Sequence, residues 1–217
     1  RLERVEEAVE FLRAEVSARP EHKRLREYFA RLLSQESLLD QAREQYLELL
    51  ARSPQDGDVL FALALIAMEQ EQDDVAVDHL ANMIKLGRRE GEAHYFLGSI
   101  AERREDSALA IQEYNQVKGD YFIAAQGRIA ALMVVNDELT EARTYLEIAR
   151  AEFPDMRIQL VLVEAQLLTD HAELSSVIDL LGTFLSESPD DADLLYFRAM
   201  TGEKAGDLDL LESDLRR

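Results

Sequence analysis

The 217-residue sequence has no cysteine and no tryptophan, and it holds only four prolines and nine glycines. Without cysteine the chain can form neither a disulfide nor a cysteine-ligated metal site. This absence leaves the cellular compartment open, because a cysteine-free chain suits a reducing or an oxidising one. Few glycines and prolines, in a chain rich in Ala, Leu, Glu and Arg, favour helix along its whole length.

Long hydrophobic runs are also missing. The richest apolar stretch, residues 158–168, is interrupted by Gln159, Glu164 and Gln166. It falls short of the roughly 18 residues that a transmembrane helix needs. The sequence begins at Arg1 without an initiator methionine or a signal peptide. We therefore expect a piece of a longer protein, in which any targeting information lies outside this sequence.

Positive charge is scarce relative to negative charge: 24 basic residues stand against 44 acidic ones, for a formal net charge of −20. This balance argues against a nucleic-acid-binding protein, because phosphate contacts need clustered Lys and Arg. The 47% of hydrophobic residues is too high for a disordered chain. The negative charge favours solubility and permits attraction to a basic partner surface.

An internal repeat runs through the sequence. A first series of mostly small residues recurs at spacings of 34, 34, 34, 32, 35 and 34: Ala8, Ala42, Ala76, Ala110, Ala142, Val177 and Leu211. Four positions after each lies a large apolar residue: Leu12, Tyr46, Leu80, Tyr114, Leu146, Leu181 and Leu215. A second small-residue series keeps step with the first: Ala30, Ala64, Gly98, Ala130, Ala165 and Ala199. Small residues let paired helices approach closely, and the large residue fills the gap to the next unit.

All four prolines occupy the same point of the repeat, where we predict that the second helix of a unit ends: Pro20, Pro54, Pro154 and Pro189. Proline lacks the N–H group and is tolerated at or just past a helix end, not in a helix interior. Where proline is missing, we expect Gly87 and Gly91 to close one unit and Gly119-Asp120 to close the next.

The pattern resembles the tetratricopeptide repeat, a 34-residue helix–turn–helix, over essentially the whole chain. In the best-matching unit Gly98, Ala110 and Tyr114 fit the small and aromatic positions of the family, and Gly206-Asp207 fits its hairpin turn. The sequence also departs from the family. The early Trp position holds Arg26, Leu60, His94, Gln126, Val161 and Leu195. The first-helix Tyr position holds Leu33, Ala67, Ala101, Met133, Leu168 and Gly202.

The resemblance implies an all-α fold, a right-handed superhelix (an α-solenoid) of about 13 antiparallel helices. We assign residues 1–217 to a single array. Its predicted parts are the second half of a repeat, five full repeats and a truncated repeat: 1–22, then 23–56, 57–90, 91–122, 123–157 and 158–191, then 192–217.

The family also implies where partners bind, because the first helix of each of its units lines a concave groove. Carried onto this sequence, the contact positions are Glu27, Arg31, Phe61, Leu65, Met68, Tyr95, Ser99, Glu102, Arg103, Gly127, Ala131, Val134, Leu162, Gln166, Tyr196 and Met200. One version of the family uses Lys and Asn here to grip the acidic tail of a chaperone, and their absence disfavours that role. We expect Tyr95 and Tyr196 to contact a partner, since tyrosines are typical interface anchors.

For the aliphatic and phenylalanine members of this set, a second interpretation stays open. They are either groove residues or ordinary residues of the core between helices: Phe61, Leu65, Val134 and Leu162. Exposed apolar surface usually marks a partner site, but a small shift in register would place these side chains in the core, and we weigh the two interpretations equally.

No catalytic constellation is visible in the sequence. The four histidines fall in different units and lack metal-ligand spacing: His22, His79, His94 and His171. Neighbouring carboxylates such as Asp73-Asp74 and Asp190-Asp191 lie at predicted helix starts, where the helix dipole favours negative charge. We therefore predict a chain that is not an enzyme and that uses no cofactor and no metal.

Two segments, residues 117–133 and 191–217, resemble more narrowly a group of proteobacterial outer-membrane lipoproteins with many tetratricopeptide repeats. In that group the lipoprotein binds a periplasmic carboxyl-terminal processing protease and its substrates, which include peptidoglycan hydrolases, and so promotes their degradation. The resemblance implies a non-catalytic periplasmic adaptor, attached to the outer membrane in the full-length protein. Two alternatives stay open: a self-assembly or structural module of another bacterial complex, and a cytoplasmic location.

Overall fold

The structure, a computed structural model, describes residues 2–134 and 139–217. Within these residues it contains no strand and 13 α-helices, which confirms the expected all-α fold. The helices are α1 Leu2–Ala18, α2 Lys23–Gln35, α3 Leu39–Arg52, α4 Gly57–Glu69, α5 Asp73–Lys85, α6 Glu90–Arg103, α7 Ser107–Tyr114, α8 Phe122–Met133, α9 Thr140–Glu152, α10 Arg157–Asp170, α11 Leu174–Glu187, α12 Ala192–Ala205 and α13 Leu208–Leu215. Two short 3₁₀ helices precede α8 and α10: Gly119–Tyr121 and Pro154–Met156.

The chain divides into two compact units, Arg1–Arg104 with α1–α6 and Glu105–Arg217 with α7–α13. In each unit every helix packs against the next one along the chain. In the second unit α10 also packs against both α8 and α12, the first helices of the neighbouring hairpins. The assignment of all residues to a single array stays a prediction.

The helices end and begin where the proline pattern predicts. Pro20 follows the end of α1 and Pro189 follows the end of α11. After Pro54 and Pro189, Asp56 and Asp191 cap α4 and α12. The Asp56 carboxylate accepts from the Val59 N–H, and the Asp191 carboxylate accepts from the Leu194 N–H. These caps satisfy donors that have no partner inside the helix. The spacing of the repeat thus corresponds to real helix ends.

One predicted helix end is wrong. Gly87 lies between α5 and α6 with a φ of 63°, as expected of a residue that closes a unit. Gly91, in contrast, lies inside α6, because that helix begins at Glu90. The turn before α6 is completed instead by Arg89, which has a left-handed backbone with a φ of 49°.

The recurring small residues lie in the core of each unit. Nine of the alanines have no exposed surface: Ala30, Ala42, Ala64, Ala76, Ala110, Ala130, Ala142, Ala165 and Ala199. The large residues that follow are buried beside them, except at the last position. Leu215 is 55% exposed, so its packing against a following unit stays a prediction. Among the described elements, α13 packs chiefly on α12, which leaves this leucine uncovered.

At the early Trp position of the repeat, two of the three polar residues are buried, and the third, His94, is partly buried. Arg26 is 8% exposed and donates from Nη1 to Gln45 Oε1 at 2.7 Å. Gln126 is 5% exposed, and its Oε1 accepts from the Tyr145 hydroxyl at 2.5 Å. In both hairpins the partner lies 19 residues later, on the second helix. Hydrogen bonds therefore replace the indole at this position and offset the cost of burying polar groups.

Candidate protein-binding surfaces

The sixteen predicted contact residues all lie on, or directly after, the first helix of a hairpin, and none of them is buried. Six are exposed: Arg31, Leu65, Arg103, Ala131, Gln166 and Tyr196. Ten are partly buried: Glu27, Phe61, Met68, Tyr95, Ser99, Glu102, Gly127, Val134, Leu162 and Met200. Accessible side chains thus line the first helices of both units. Their contact with a partner stays a prediction.

The two interpretations of the apolar members divide between residues. Phe61 packs against the core of the first unit, and Val134 and Leu162 pack against core clusters of the second. Leu65 is 37% exposed, and Tyr196 is 61% exposed. Leu65 and Tyr196 are therefore the apolar and aromatic side chains most available to a partner, whereas the other three also hold helices together.

An aromatic cluster in the first unit joins two of the predicted residues. The rings of Phe61 and Phe96 lie 5.3 Å apart, edge to face, and those of Tyr95 and Phe96 lie 5.5 Å apart. The guanidinium of Arg89 lies 4.0 Å from the centre of the Phe61 ring. Such ring pairs and cation–π contacts each contribute about 0.5–1.5 kcal/mol. Tyr95 is therefore a packing residue as well as a candidate contact.

Sequence reasoning missed two aromatic side chains of this region. Phe96 forms the bridge between Phe61 and Tyr95, and Tyr28 on α2 is 59% exposed. Both lie one residue after a predicted contact position, so a contact set one position wider on each first helix would have included them.

A cleft of the first unit, of about 330 Å³, brings Glu27 and Arg31 together. It is lined by Lys23, Glu27, Arg31, Tyr46, Asp56, Asp58 and Val59. The Lys23 ammonium donates to Asp56 Oδ2 at 2.8 Å, and this hydrogen bond raises the pKa of Lys23. Burial by itself would raise the pKa of the Asp56 carboxyl. The hydrogen bonds from Lys23 and from the Val59 N–H lower it by more than burial raises it, so the pKa of Asp56 lies below its ordinary value. Asp56 is thus held ionised at the edge of the cleft.

Several polar members of the predicted set already have partners within the chain. Arg103 pairs with Asp73 on α5, and Gln166 Nε2 donates to Asp170 Oδ1 at 2.6 Å on its own helix. Arg103 must therefore exchange an existing ion pair for any contact with a partner. Exposed pairs of this kind are worth about 0–1 kcal/mol, so the exchange is not costly.

The second unit contains buried charges that the sequence reasoning did not single out. Glu164 on α10 is 2% exposed, and its carboxylate accepts from Arg143 Nε at 2.9 Å and from Arg150 Nη1. Arg198 on α12 donates to both oxygens of the 3%-exposed Asp214, at 2.7 Å each. Each carboxylate thus has two charge-assisted hydrogen bonds, as a buried charge requires.

A pattern in the sequence could have identified Glu164 and Arg198 as charges of the interior. The residue directly before each member of the second small-residue series is Phe29, Leu63, Leu97, Ile129, Glu164 and Arg198. Four apolar residues are followed by two charged ones. A charge next to a buried small residue indicates a charge that lies against the core and needs a partner there, as Glu164 and Arg198 do.

A cleft of the second unit has a volume of about 590 Å³ and lies over Glu164. Its walls come from the second helices α9 and α11, and its floor comes from α10. The lining residues are Leu139, Thr140, Arg143, Thr144, Glu147, Arg150, Glu164, Leu168, Glu173, Ser176 and Leu180. None of the predicted contact residues lines this cleft.

The contacts of the histidines are those of helix-capping and packing residues. His22 Nδ1 accepts from the Leu25 N–H at 3.2 Å and caps α2. His171 Nδ1 lies 2.8 Å from the carbonyl of Leu167, and burial lowers the pKa of His79. Within residues 2–134 and 139–217 no group of three or more His, Asp or Glu side chains could hold a metal ion. The helices of the same residues include none that is long and apolar enough to cross a bilayer.

Comparison with known proteins gives a family match and one relative. A family model of the tetratricopeptide repeat matches residues 29–87 and 61–121. The TPR repeat-containing protein PA4667 of Pseudomonas aeruginosa is 39% identical over 125 residues, which make up 57% of this chain and 21% of that protein. The matched segment therefore spans about a fifth of the relative's length.

Solved structures share the fold along nearly the whole chain. A tetratricopeptide repeat protein from Parabacteroides merdae gives a TM-score of 0.58 at 16% identity, over 98% of this chain and 84% of that one. The pilF protein of Pseudomonas aeruginosa gives a TM-score of 0.55 at 15% identity, over 91% of this chain and 90% of that one. Residues 29–121 are thus similar to tetratricopeptide repeats, a 125-residue segment is similar to a protein that contains them, and the solved structures share the fold.

Proposed function

We propose that this chain is a non-catalytic scaffold that binds other proteins through the exposed faces of its first helices. Proteins of the tetratricopeptide-repeat family commonly act as protein–protein interaction scaffolds. The observation that carries the proposal is the exposure of large side chains on these helices, above all Tyr28, Leu65 and Tyr196. Exposed apolar side chains beside polar ones are typical of partner sites, and tyrosines are frequent anchors there.

We further propose that the partner is a carboxyl-terminal processing protease of the bacterial periplasm, and that the chain brings substrates such as peptidoglycan hydrolases to it. This rests on the resemblance of residues 117–133 and 191–217 to outer-membrane lipoproteins with that role. The 39% identity to a Pseudomonas aeruginosa protein supports a proteobacterial relationship. Binding two proteins to one scaffold accelerates their reaction because it raises their effective concentration.

A reconstituted cleavage assay tests this proposal. The full-length protein, the processing protease and a peptidoglycan hydrolase are mixed, and the loss of intact hydrolase is followed with and without the scaffold. We expect no cleavage by the scaffold alone and faster cleavage by the protease when the scaffold is present. Equal rates with and without the scaffold would refute the adaptor role.

The alternative of a self-assembly module is tested by light scattering of the purified full-length protein. Assembly through its own apolar side chains would make the apparent mass rise with concentration in the micromolar range. We expect a mass that does not change with concentration. A rising mass that falls again in a Tyr196→Ser variant would favour self-assembly.

A further inference from the structure

We propose a second binding site, the cleft of the second unit between α9 and α11, and infer that it takes the arginine or lysine side chain of a partner protein. The site is independent of the proposed first-helix surface, because α9 and α11 carry none of the predicted contact residues. A scaffold with two partners needs two such surfaces. Failure of either proposal leaves the other one standing.

The charges of the cleft favour a cation. Its floor carboxylate, Glu164, already accepts from the two guanidinium groups of the cleft, those of Arg143 and Arg150. The remaining carboxylates, Glu147 on α9 and Glu173 on α11, are exposed on the two walls. The three carboxylates of the lining outnumber its two guanidinium groups by one charge, and the net charge of −20 for the whole chain has the same sign.

The shape and polarity of the cleft suit a long cationic side chain. Leu139, Leu168 and Leu180 provide apolar surface on which a methylene stem can lie. The hydroxyls of Thr144 and Ser176 lie in the same lining and can accept hydrogen bonds from a guanidinium or ammonium group. The cleft therefore offers contacts for both the stem and the charged end.

The first unit shows the same arrangement with its own arginine. Its equivalent cleft, of about 370 Å³, lies over Phe29 and Leu33 between α1 and α3. Arg13 on α1 reaches across it and donates from Nη2 to Gln41 Oε1 at 2.6 Å. A guanidinium thus lies between two successive second helices, supplied by the chain itself.

In the second unit the repeat places different residues at these two positions. Glu147 occupies the position of Arg13, and Ser176 occupies that of Gln41, by the alignment of Ala8 with Ala142 and of Ala42 with Val177. Ser176 donates to Glu173 on its own helix. The second cleft thus carries a carboxylate where the first carries the arginine, and its own guanidinium groups, those of Arg143 and Arg150, are paired with Glu164 on the floor. A cation that lies between Glu147 and Ser176, as Arg13 lies beside Gln41, would therefore come from another molecule.

The test titrates the isotope-labelled full chain with N-acetyl-Gly-Arg-Gly-amide at physiological salt and follows amide chemical shifts. We expect shifts concentrated in the N-terminal halves of α9 and α11, and none with the matched Gly-Gln-Gly peptide. The Glu147→Gln/Glu173→Gln variant should bind about fivefold more weakly, since each exposed ion pair contributes up to about 1 kcal/mol. Both residues are exposed, so the variant should fold.

Two controls separate the site from general attraction to an acidic protein. Glu44→Gln/Glu48→Gln on α3 removes the same charge elsewhere and should leave binding unchanged. Glu147→Arg/Ser176→Gln rebuilds the Arg13–Gln41 bridge of the first unit and should abolish the shifts by filling the cleft. Equal weakening by both glutamine pairs, unchanged binding in Glu147→Gln/Glu173→Gln, or shifts scattered over the whole surface would overturn the proposal.

Discussion

The two units differ at equivalent positions of the repeat, where the first unit has apolar side chains and the second has charged ones. In the first unit Val9 and Val16 of α1 pack with Phe29 of α2 in a single apolar cluster, each 6% exposed or less. In the second unit the same positions of α9 and α10 hold Arg143, Arg150 and the buried Glu164.

This difference teaches what a repeat specifies and what it leaves free. The small residues at fixed spacing determine how close two helices come. The side chain beside them can be apolar or charged, provided that all its partners change with it. Replacing a whole buried charge set by apolar residues is often neutral or stabilising, whereas removing one member is costly. The comparison therefore predicts the largest effects where a set is left incomplete.

The largest effect is expected when a buried carboxylate is introduced into the first unit without the arginines that pair with it in the second. Phe29→Glu should lower the free energy of unfolding by more than about 4 kcal/mol, because it removes a buried ring and leaves a carboxylate among valines. Urea denaturation measures the change, with Phe29→Leu as the size-reducing control. A Phe29→Glu protein as stable as the Phe29→Leu protein would show that this place tolerates an unpaired charge.

The converse change removes one partner in the second unit. Arg198→Met leaves the Asp214 carboxylate buried without its two hydrogen bonds, and it should cost about 3–5 kcal/mol. Arg198→Met/Asp214→Leu should recover most of this loss, because no unpaired charge remains. Chemical denaturation of both variants checks the prediction. If the double variant is no more stable than the single one, the pair contributes more than mutual neutralisation.

Helix caps give a smaller contrast between the units. Asp56→Ala removes the cap of α4 together with the Lys23 ion pair, and Asp191→Ala removes the cap of α12. Each cap is worth about 1 kcal/mol, so we expect the Asp56 change to cost more. Thermal unfolding at neutral pH compares the two variants. Equal losses would mean that the Lys23 pair adds nothing.

Because the pKa of Asp56 is lowered in the folded protein, its contribution to the free energy of unfolding depends on pH. A carboxyl whose folded-state pKa is depressed stabilises the fold above its unfolded value of about 3.9, and this contribution is lost as pH falls through the folded value. The stability difference between the wild type and Asp56→Ala should therefore shrink below about pH 4. A difference that stays constant down to pH 2 would contradict the assignment.

A substitution in the turn between the two helices of a hairpin is expected to stabilise the protein, unlike the substitutions above. Ala172 after α10 has a φ of 60°, and Gly206 occupies the same place after α12 with a φ of 81°. Ala172→Gly should stabilise by about 0.5–1 kcal/mol, because a side chain is strained in this conformation. Gly206→Ala should destabilise by a similar amount. Melting temperatures that move the other way would refute the strain.

The smallest effect concerns Tyr145 of the second unit. Burial raises its pKa to about 12, although its hydrogen bond to Gln126 acts the other way. A tyrosine whose folded pKa is raised contributes stability that is present below about pH 10 and is lost as pH rises toward the folded value. Burial also raises the pKa of Tyr46, so an absorbance titration should show late tyrosine ionisation that becomes smaller in Tyr145→Phe. Identical titration curves would contradict this.

Much of the fold was predictable from the sequence, because helix ends and small-residue contacts leave local signals. Pro20 and Pro189 marked helix ends, and Gly206-Asp207 marked a hairpin turn that the structure confirms. Gly91 was misassigned because a glycine in the first turn of a helix resembles one that ends the preceding helix.

The candidate surfaces were less predictable. Repeat positions placed the contact residues on the first helices, but they could not distinguish the exposed Leu65 from Phe61, which packs against the core. The sequence showed Glu164 only as a polar interruption of an apolar stretch. Its burial depends on Arg143 and Arg150 from another helix, and spacing within one helix carries no information on such partners.

The central claim is that exposed side chains of the first helices bind a partner polypeptide, and affinity for the proposed partner, a processing protease, tests it most directly. Leu65→Ser/Tyr196→Ser in the full-length protein should weaken binding at least tenfold, since an interface anchor is worth roughly 1–2 kcal/mol or more. Its melting temperature should stay close to that of the wild type, because both side chains are exposed. Unchanged affinity in a folded variant would contradict the claim.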